Sequence, residues 1–343
     1  MAVKLRWIDF RKIGLEGQAW QRKKHESPYD RFPAAFRPLL PEQVWNNSRS
    51  STGMCITFIT DSPSIHIRRK FETTQYEERN FNNCSFSGFD LYAEEKPGKF
   101  RWVATTNHKF GDAEEYPLTM EPIRGKHTFR LYLPSRNRLL QAELGIEAGS
   151  LFEPVAPRPE TASIVFYGSS IVHGAYASHA GLCHPAWIGR KLNRPTYNFG
   201  FSGAARMELE IAEILGLLNP AAFVIDAMPN MNLEQIRSNA KPFLKRLREL
   251  HPGTPFLLME DAAKTNGWFF REKLDDNRRR WNAMRKIYRE LQEEGERRIV
   301  YLKGNTLFGT DDEAAIDSVH PSDLGYERMT GQLVPLLKKM LNI

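Results

Sequence analysis

The sequence predicts two domains, an all-β sandwich or jelly roll followed by a doubly wound α/β domain with a mostly parallel sheet. Three observations predict this division. Short strands with period-two alternation fill the first part of the chain, a proline-rich segment follows, and apolar strands then alternate with helical stretches. A chain of 343 residues also exceeds the usual size of one domain.

The first domain is predicted from the spacing of its apolar residues. Ile65 and Ile67 alternate with polar neighbours, as expected for a strand with one buried face. Residues 127–135 repeat this pattern, with Phe and Leu side chains on one face and Thr128, Arg130 and Tyr132 on the other. Gly, Pro, Asn and Asp clusters separate such runs, which is typical of a sandwich or jelly roll.

The boundary between the domains is predicted from prolines. Pro154, Pro157 and Pro159 stand within six residues. Each removes a backbone donor and favours extended chain, so this segment is expected to be a linker. The predicted domains are residues 1–157 and 158–343.

The second domain is predicted from strands that read as uninterrupted apolar runs. Such strands are buried on both faces and, when they alternate with helices, form a mostly parallel sheet. The predicted strands cover residues 163–168, 196–200, 221–228, 255–260 and 297–302. The predicted helices cover residues 184–193, 206–218, 233–250, 271–298 and 323–341.

Composition narrows the possible partners. The net charge is +7, but the basic residues are interleaved with acids. The densest basic run, residues 271–298, has Trp281, Met284, Tyr288 and Leu291 at helical spacing and is interpreted as an amphipathic helix with a solvated basic face. No nucleic-acid partner is expected, and a polyanion site is the alternative. No apolar run reaches the roughly 18 residues needed to span a membrane, so no membrane partner is expected.

The sequence predicts neither a cofactor nor a metal. The chain has three cysteines, an odd number, and they lack metal-ligand spacing: Cys55, Cys84 and Cys183. Buried thiols are therefore expected rather than a disulfide framework or zinc site.

The N-terminus lacks the apolar stretch of a signal peptide. The protein is therefore expected to be cytoplasmic, or exported with its signal removed. The sequence leaves the oligomeric state open.

Polar residues that could carry chemistry follow the predicted strands. Ser169 and Ser170 come directly after the first strand, where ligands bind in open α/β sheets. A serine there caps a helix or acts as a nucleophile. Near the C-terminus, Asp317 and His320 have the spacing for a carboxylate that orients a basic imidazole. The alternative is that Asp317 caps a turn and His320 begins a helix.

The middle strands supply candidate donors for an oxyanion. Gly203 follows the second strand, where its backbone N–H could face a negative oxygen, and Asn230 follows the third with a side-chain amide. The alternatives are a glycine required by a tight turn and a turn-forming Pro-Asn pair.

Together these features resemble the SGNH (GDSL-type) hydrolase family. That family has Gly-Asp-Ser after the first strand, a glycine after the second, Gly-x-Asn-Asp after the third and Asp-x-x-His near the C-terminus. The resemblance implies a three-layer, flavodoxin-like hydrolase domain. It also implies roles for five positions: Ser170 as nucleophile and oxyanion donor, Gly203 and Asn230 as oxyanion donors, Asp317 as orienting carboxylate and His320 as base.

Two departures from the family pattern point to a subgroup. Ser169 replaces the aspartate of the first block, and Asp-Ala-Met-Pro-Asn replaces Gly-x-Asn-Asp. Residues 88–92, Gly-Phe-Asp-Leu-Tyr, are similar to the Gly-x-Asp-Leu-Tyr motif of an N-terminal β domain in one branch of the family. For Asp90 and Tyr92 a structural role in a turn is expected, and catalysis is the alternative.

The resemblance implies a serine esterase that acts through an acyl-enzyme. Acetyl esters of carbohydrates are the expected substrates. The aromatic residues, including Trp45, Trp102, Trp187 and Trp268, would suit stacking on sugars, and core packing is the alternative. His173, His179 and His184 either line the pocket or have structural roles. Two alternatives stay open: a lipid or thioester acylhydrolase with the same triad, and a non-catalytic protein that binds glycan or nucleic acid.

Overall fold

The computed structural model describes residues 3–106 and 115–343. Within these ranges the chain forms two compact units. The first comprises residues up to Phe36, Ser48–Arg158 and Ser178–Gly181, and the second comprises Arg37–Asn47, Pro159–Ala177 and Leu182–Ile343.

The first unit contains two antiparallel sheets. The strands are β1 (Leu5–Asp9), β2 (Leu15–Glu16), β3 (Cys55–Thr60), β4 (Ile65–Phe71), β5 (Asp90–Lys96), β6 (Lys99–Thr105), β7 (Glu115–Pro117), β8 (His127–Tyr132), β9 (Leu139–Glu147) and β10 (Phe152–Pro154). One sheet has the strand order β1-β9-β4-β7, and the other has the order β10-β3-β8-β5-β6 with β2 also paired to β3. The helices before residue 158 are α1 (Phe10–Ile13), α2 (Glu42–Ser48) and α3 (Asn83–Phe86), of which α2 belongs to the second unit except for its last residue.

Burial confirms the predicted alternation in β4 but not in β8. Ile65 and Ile67 are fully buried, and the residues between and after them are partly exposed. In β8 the expectation of one solvated face is wrong, because Arg130 and Tyr132 are buried as well. The guanidinium of Arg130 lies 4.2 Å from the ring centroid of Phe100, a cation–π contact that offsets part of its desolvation.

The second unit is a parallel sheet with helices on its connections. The strands are β11 (Ile164–Gly168), β12 (Thr196–Gly200), β13 (Ala222–Asp226), β14 (Phe256–Met259) and β15 (Ile299–Leu302). Their order in the sheet is β12-β11-β13-β14-β15, and every described pair is parallel. Counted within the unit this order is 2-1-3-4-5, as in flavodoxin-like folds. The helices are α4 (Ser170–His173), α5 (His184–Leu192), α6 (Leu209–Leu215), α7 (Leu233–Leu250), α8 (Arg271–Glu293) and α9 (Asp323–Leu341).

The predicted three-layer α/β class with a parallel sheet is confirmed, with two helices several residues shorter than predicted. The run 271–298 is helical only as far as Glu293. The stretch predicted to be helical from residue 206 begins its helix only at Leu209. Met207 has a φ of 55°, in the left-handed region, and a right-handed helix cannot pass through such a residue.

The sheet register brings three strand ends to one edge. Gly168, the last residue of β11, pairs with Gly200 of β12 and with Asp226 of β13. The turns that follow these three strands are therefore neighbours. Over the described residues, no helix is both long and apolar enough to cross a bilayer.

Candidate active site

The turn after β11 uses its two serines differently. Ser169 is the N-cap of α4, and its Oγ accepts a hydrogen bond from the backbone N–H of Ile171 at 3.2 Å. Ser170 is the first residue of that helix. The residue before Ser169 must be glycine, because a Cβ on Gly168 would lie 2.3 Å from the carbonyl oxygen of Asp226. The capping role considered from the sequence therefore falls on Ser169 and leaves the Ser170 hydroxyl for another partner.

That partner is a histidine from the C-terminal region. The Oγ of Ser170 lies 2.8 Å from Nε2 of His320, and Nδ1 of the same ring lies 2.8 Å from Oδ2 of Asp317. The other oxygen of Asp317 accepts the backbone N–H groups of Val319 and His320, at 3.1 and 2.9 Å. A carboxylate acceptor favours a proton on Nδ1, which leaves Nε2 to accept the serine proton.

Two influences act in opposite directions on the pKa of Asp317. Burial is the largest single influence and raises this pKa, but the hydrogen bonds from the backbone and ring of His320, the charge of His320 and the backbone N–H of Val319 together lower it by more. The pKa of Asp317 therefore lies below its ordinary value of 3.8. At neutral pH the carboxylate is ionised and can only accept hydrogen bonds.

Tyr176 packs against the candidate base, a contact that the sequence did not predict. The ring centroids of Tyr176 and His320 are 5.6 Å apart. Tyr176 has a φ of 61°, and Ser318 in the loop of His320 has a φ of 72°. Left-handed backbone is uncommon for residues other than glycine and is concentrated at functional sites. No sequence pattern predicts such a tyrosine, so only the structure reveals it.

Gly203 and Asn230 follow the two strands that flank β11. Their turns therefore lie on either side of the turn that carries Ser170. Gly203 has a φ of 70°, which favours glycine. The Asn230 amide donates to the carbonyl oxygen of Phe201 at 3.1 Å and has a second N–H for another acceptor. This hydrogen bond joins the two flanking turns.

Helix α2, far away in sequence, supports the turn of Gly203. The side-chain amides of Asn47 and Gln43 donate to the carbonyl oxygen of Ser202 at 3.1 and 3.3 Å. A Cβ on Gly203 would lie 3.0 Å from Nε2 of Gln43. Because 155 residues separate Asn47 from Ser202, no local sequence pattern could have indicated this support.

A buried ion pair supports the turn of Asn230. Arg280 of α8 donates through Nη1 to the carbonyl oxygen of Met228 at 3.2 Å and through Nη2 to Oδ2 of Asp261 at 2.6 Å. Arg280 is about 5% exposed and Asp261 is about 2% exposed. Residues 228–230 form a single 3₁₀ turn, so the arginine holds the turn that carries the candidate oxyanion donor.

Tyr326 of α9 binds the turn of the candidate nucleophile. Its buried hydroxyl lies 3.0 Å from the carbonyl oxygen of Ile171 and 2.8 Å from that of Ala175. Burial raises the pKa of Tyr326 well above its ordinary range, so the phenol stays protonated as a donor. The ring of His184 stacks on Tyr326 with centroids 6.0 Å apart, and burial lowers the pKa of His184 to about 3. His184 is therefore a neutral packing residue.

The other candidate histidines have polar partners. Nδ1 of His173 lies 3.1 Å from Oγ of Ser202, and His173 is fully buried. His179 belongs to the first unit, where Nδ1 lies 2.5 Å from Oδ2 of Asp90. Within the described ranges, no group of three or more His, Cys or acidic side chains has the arrangement of a metal site.

The motif at residues 88–92 does not form the predicted turn at Asp90 and Tyr92, because both residues lie in β5. Asp90 is fully buried, and its carboxylate accepts hydrogen bonds from Nε1 of Trp102 at 3.0 Å and from the N–H of Gly181 at 2.8 Å. A Cβ on Gly181 would lie 2.5 Å from the same carboxylate. Tyr92 packs edge-on against Tyr132, with ring centroids 5.6 Å apart.

Models of two known protein families match the chain, one in its N-terminal part and one in its C-terminal part. Residues 161–338 match the model of the GDSL-like lipase/acylhydrolase family, and residues 5–152 match that of the GxDLY domain, the N-terminus of SGNH hydrolase-type esterases. A protein described as a GDSL-like lipase, from Bacteroides ovatus, is 27% identical with a TM-score of 0.90 over 99% of each chain. No curated protein matches the chain.

More distant structures share the fold. Salicylyl-acyltransferase SsfX3, from a tetracycline biosynthetic pathway, is 18% identical with a TM-score of 0.76 over 99% of this chain and 98% of that one. A family two carbohydrate esterase from Cellvibrio japonicus is 12% identical with a TM-score of 0.63 over 99% of each chain.

Proposed function

Because this chain belongs to the GDSL-like lipase/acylhydrolase family, we propose that it hydrolyses acetyl esters of carbohydrates through Ser170, His320 and Asp317. The observation that carries the proposal is the continuous hydrogen-bond chain from the Ser170 hydroxyl through the imidazole to the carboxylate. Such a chain activates a hydroxyl that is a weak nucleophile by itself.

The reaction proceeds through an acyl-enzyme. Nε2 of His320 takes the proton of Ser170 as Oγ attacks the ester carbonyl, and the same nitrogen then protonates the leaving alcohol. Water repeats the sequence on the acyl-enzyme: the base takes a water proton, the acid product leaves, and the proton returns to Ser170. Asp317 stays ionised throughout and stabilises the imidazolium.

Three groups bind the tetrahedral oxyanion in this proposal. They are the backbone N–H groups of Ser170 and Gly203 and the side-chain amide of Asn230. The positions of the three turns at one edge of the sheet support this assignment. Losing one such donor typically lowers turnover on the order of 100- to 1000-fold, which we expect for Asn230→Ala.

The carbohydrate part of the proposal is supported by two features. The structural relatives include a protein named as a carbohydrate esterase, and Trp268 in the same unit as Ser170 is 66% exposed.

The predicted sandwich arrangement of the first unit also belongs to this proposal. It is supported by one hydrophobic cluster that draws members from both sheets, such as Ile67 and Leu144 from one and Phe58 and Phe129 from the other.

Kinetics on two esters test the proposal. We expect wild type to release acetate from p-nitrophenyl acetate and from acetylated xylan, and Ser170→Ala to lose both activities. Ser169→Ala is the matched control, because it removes a neighbouring hydroxyl whose role is to cap α4. Acetate release that survives Ser170→Ala would contradict the assignment of the nucleophile.

The same experiment separates the alternatives. A lipid or thioester acylhydrolase would prefer long acyl chains, so p-nitrophenyl octanoate would be turned over faster than the acetate. A non-catalytic polyanion binder would show no turnover and a binding affinity that falls steeply with salt. An esterase acting on neutral glycans has no such salt dependence.

A further inference from the structure

Three consecutive aromatic side chains are exposed on the loop before α8. Trp268 and Phe269 are each 66% exposed, and Phe270 is 42% exposed. We call these three residues the aromatic platform. Single exposed apolar residues are common, but a contiguous patch of large ones usually marks an interaction site.

The rings of the aromatic platform are held in place by one another and by their loop. Trp268 and Phe269 meet edge to face with centroids 5.6 Å apart, and Phe269 and Phe270 do so at 4.9 Å. The carbonyl oxygen of Asn266 accepts the backbone N–H groups of Phe269 and Phe270 at 3.2 and 2.9 Å. A ligand would therefore meet a surface that is already ordered, with little entropy to lose.

The platform is anchored to the loop of the candidate base. The N–H of Thr265 donates to the carbonyl oxygen of Ser318 at 3.2 Å, and Ser318 lies between Asp317 and His320. The aromatic platform begins three residues after Thr265. Three residues of chain span at most about 11 Å, so Trp268 lies near the loop that carries Asp317 and His320.

Exposure indicates the chemistry of the ligand. Small apolar ligands are usually bound in concave apolar pockets, whereas these rings are open to water, which favours a ligand that keeps its own polar groups solvated. A pyranose ring can cover an aromatic face with its C–H groups while its hydroxyls stay solvated. Polar groups also border the platform: Nζ of Lys273 lies 5.0 Å from the ring centroid of Phe270 and 3.3 Å from Oδ1 of Asn266.

We propose that the aromatic platform is a subsite for sugar units of the alcohol part of the substrate, next to the acetylated unit. This inference rests on the proposed function and names the surface that selects an oligosaccharide over a small ester. Trp268 and Phe269, the two most exposed members, provide the stacking faces.

The test compares two substrates in the full-length protein. For Trp268→Ala and for Trp268→Ala with Phe269→Ala, we would measure the ratio of kcat/KM on acetylated xylohexaose to kcat/KM on p-nitrophenyl acetate. We expect the ratio to fall about fivefold in the single variant and about tenfold or more in the double variant, as for other aromatic contacts. Leu217→Ala is the control: Leu217 is 60% exposed, but it precedes β13 and so lies at the opposite edge of the sheet.

Binding to an inactive protein keeps the two proposals distinguishable. Calorimetric titration of xylohexaose into Ser170→Ala measures the affinity of the platform for the oligosaccharide without any turnover. This affinity should fall when Trp268→Ala is added. A binding loss without wild-type hydrolysis would support the platform and contradict the esterase proposal. An unchanged ratio and affinity would overturn the platform. A third outcome would also overturn it: wild type binds anionic lipid vesicles, the double variant does not, and both bind xylohexaose equally. That outcome would indicate a membrane-surface site.

Discussion

Tyr326 donates a hydrogen bond to the carbonyl oxygen of Ile171, and this contact joins the helix after the candidate base to the turn of the candidate nucleophile. Helix α9 begins three residues after His320, and Ile171 directly follows Ser170. The relative position of the two reacting side chains therefore depends on a buried phenol as well as on their own hydrogen bond.

Removing that hydroxyl should lower both stability and turnover. Tyr326→Phe keeps the ring that stacks on His184, and we expect the free energy of unfolding to fall by about 1–2 kcal/mol. We expect kcat to fall severalfold with KM unchanged, because the variant loosens the placement of Ser170 without touching the substrate. Urea unfolding and steady-state kinetics measure the two effects. A variant with wild-type kcat would mean that the hydroxyl only stabilises the fold.

Neutralising Asp317 should impair catalysis more than it impairs folding. Asp317→Asn keeps the shape of the side chain, but the amide favours the wrong imidazole tautomer of His320. We expect kcat on p-nitrophenyl acetate to fall on the order of 1000-fold or more. Asp311→Asn is the control, because the Asp311 carboxylate forms an ion pair with Arg328 and does not belong to the triad. Similar losses in the two variants would contradict the orienting role.

The same carboxylate should contribute to acid sensitivity. Because the pKa of Asp317 is lowered in the folded state, its stabilising hydrogen bonds are present above its ordinary pKa of 3.8 and are lost as pH falls through the lower folded value. We therefore expect the free energy of unfolding of Asp317→Asn to depend less on pH below about pH 4. Parallel pH profiles for variant and wild type would argue against this.

Asp226 should produce the opposite dependence on pH. It ends β13 with Oδ2 buried and without a hydrogen-bond partner in the described structure, and burial, with the charge of Asp261, raises the pKa of Asp226 well above 3.8. The folded state then binds a proton that the unfolded state releases, so stability falls as pH rises above about 4. Asp226→Asn should flatten this slope above about pH 4. The slope is compared rather than the absolute stability, since the new amide adds donors of its own.

The buried pair below the Asn230 turn should be costly to break. Arg280→Met leaves the Asp261 carboxylate without its arginine, and breaking such a pair typically costs about 3–5 kcal/mol. Adding Asp261→Asn should restore part of the loss, because no buried charge is then left unpaired. Chemical denaturation of the single and double variants measures both values. A double variant less stable than the single one would contradict this explanation.

Much of the second unit could be predicted because its signals are local. Each buried strand is an apolar run, and the carboxyl ends of parallel strands share one edge, so Ser170, Gly203 and Asn230 could be assigned to neighbouring turns. The spacing of Asp317 and His320 likewise fits within one loop. The three-layer α/β class follows from the same alternation of strands and helices.

The supporting residues could not be predicted, because their contacts are set by tertiary structure. Gln43 and Asn47 reach Ser202 across more than 150 residues, and neither has a distinguishing pattern around it. The left-handed backbone of Tyr176 depends on packing rather than on residue type. Burial of Arg130 in β8 also contradicts a simple polar-outside rule, since a strand can be covered on both faces.

The most direct measurement is to identify the residue that a fluorophosphonate labels. Such a reagent forms a bond from phosphorus to an activated serine oxygen and releases fluoride, so peptide mass spectrometry locates the nucleophile. We predict one adduct on Ser170, no adduct in Ser170→Ala, and slower labelling in His320→Ala. An adduct on Ser169 or elsewhere, or full esterase activity in a protein that takes no label, would contradict the assignment.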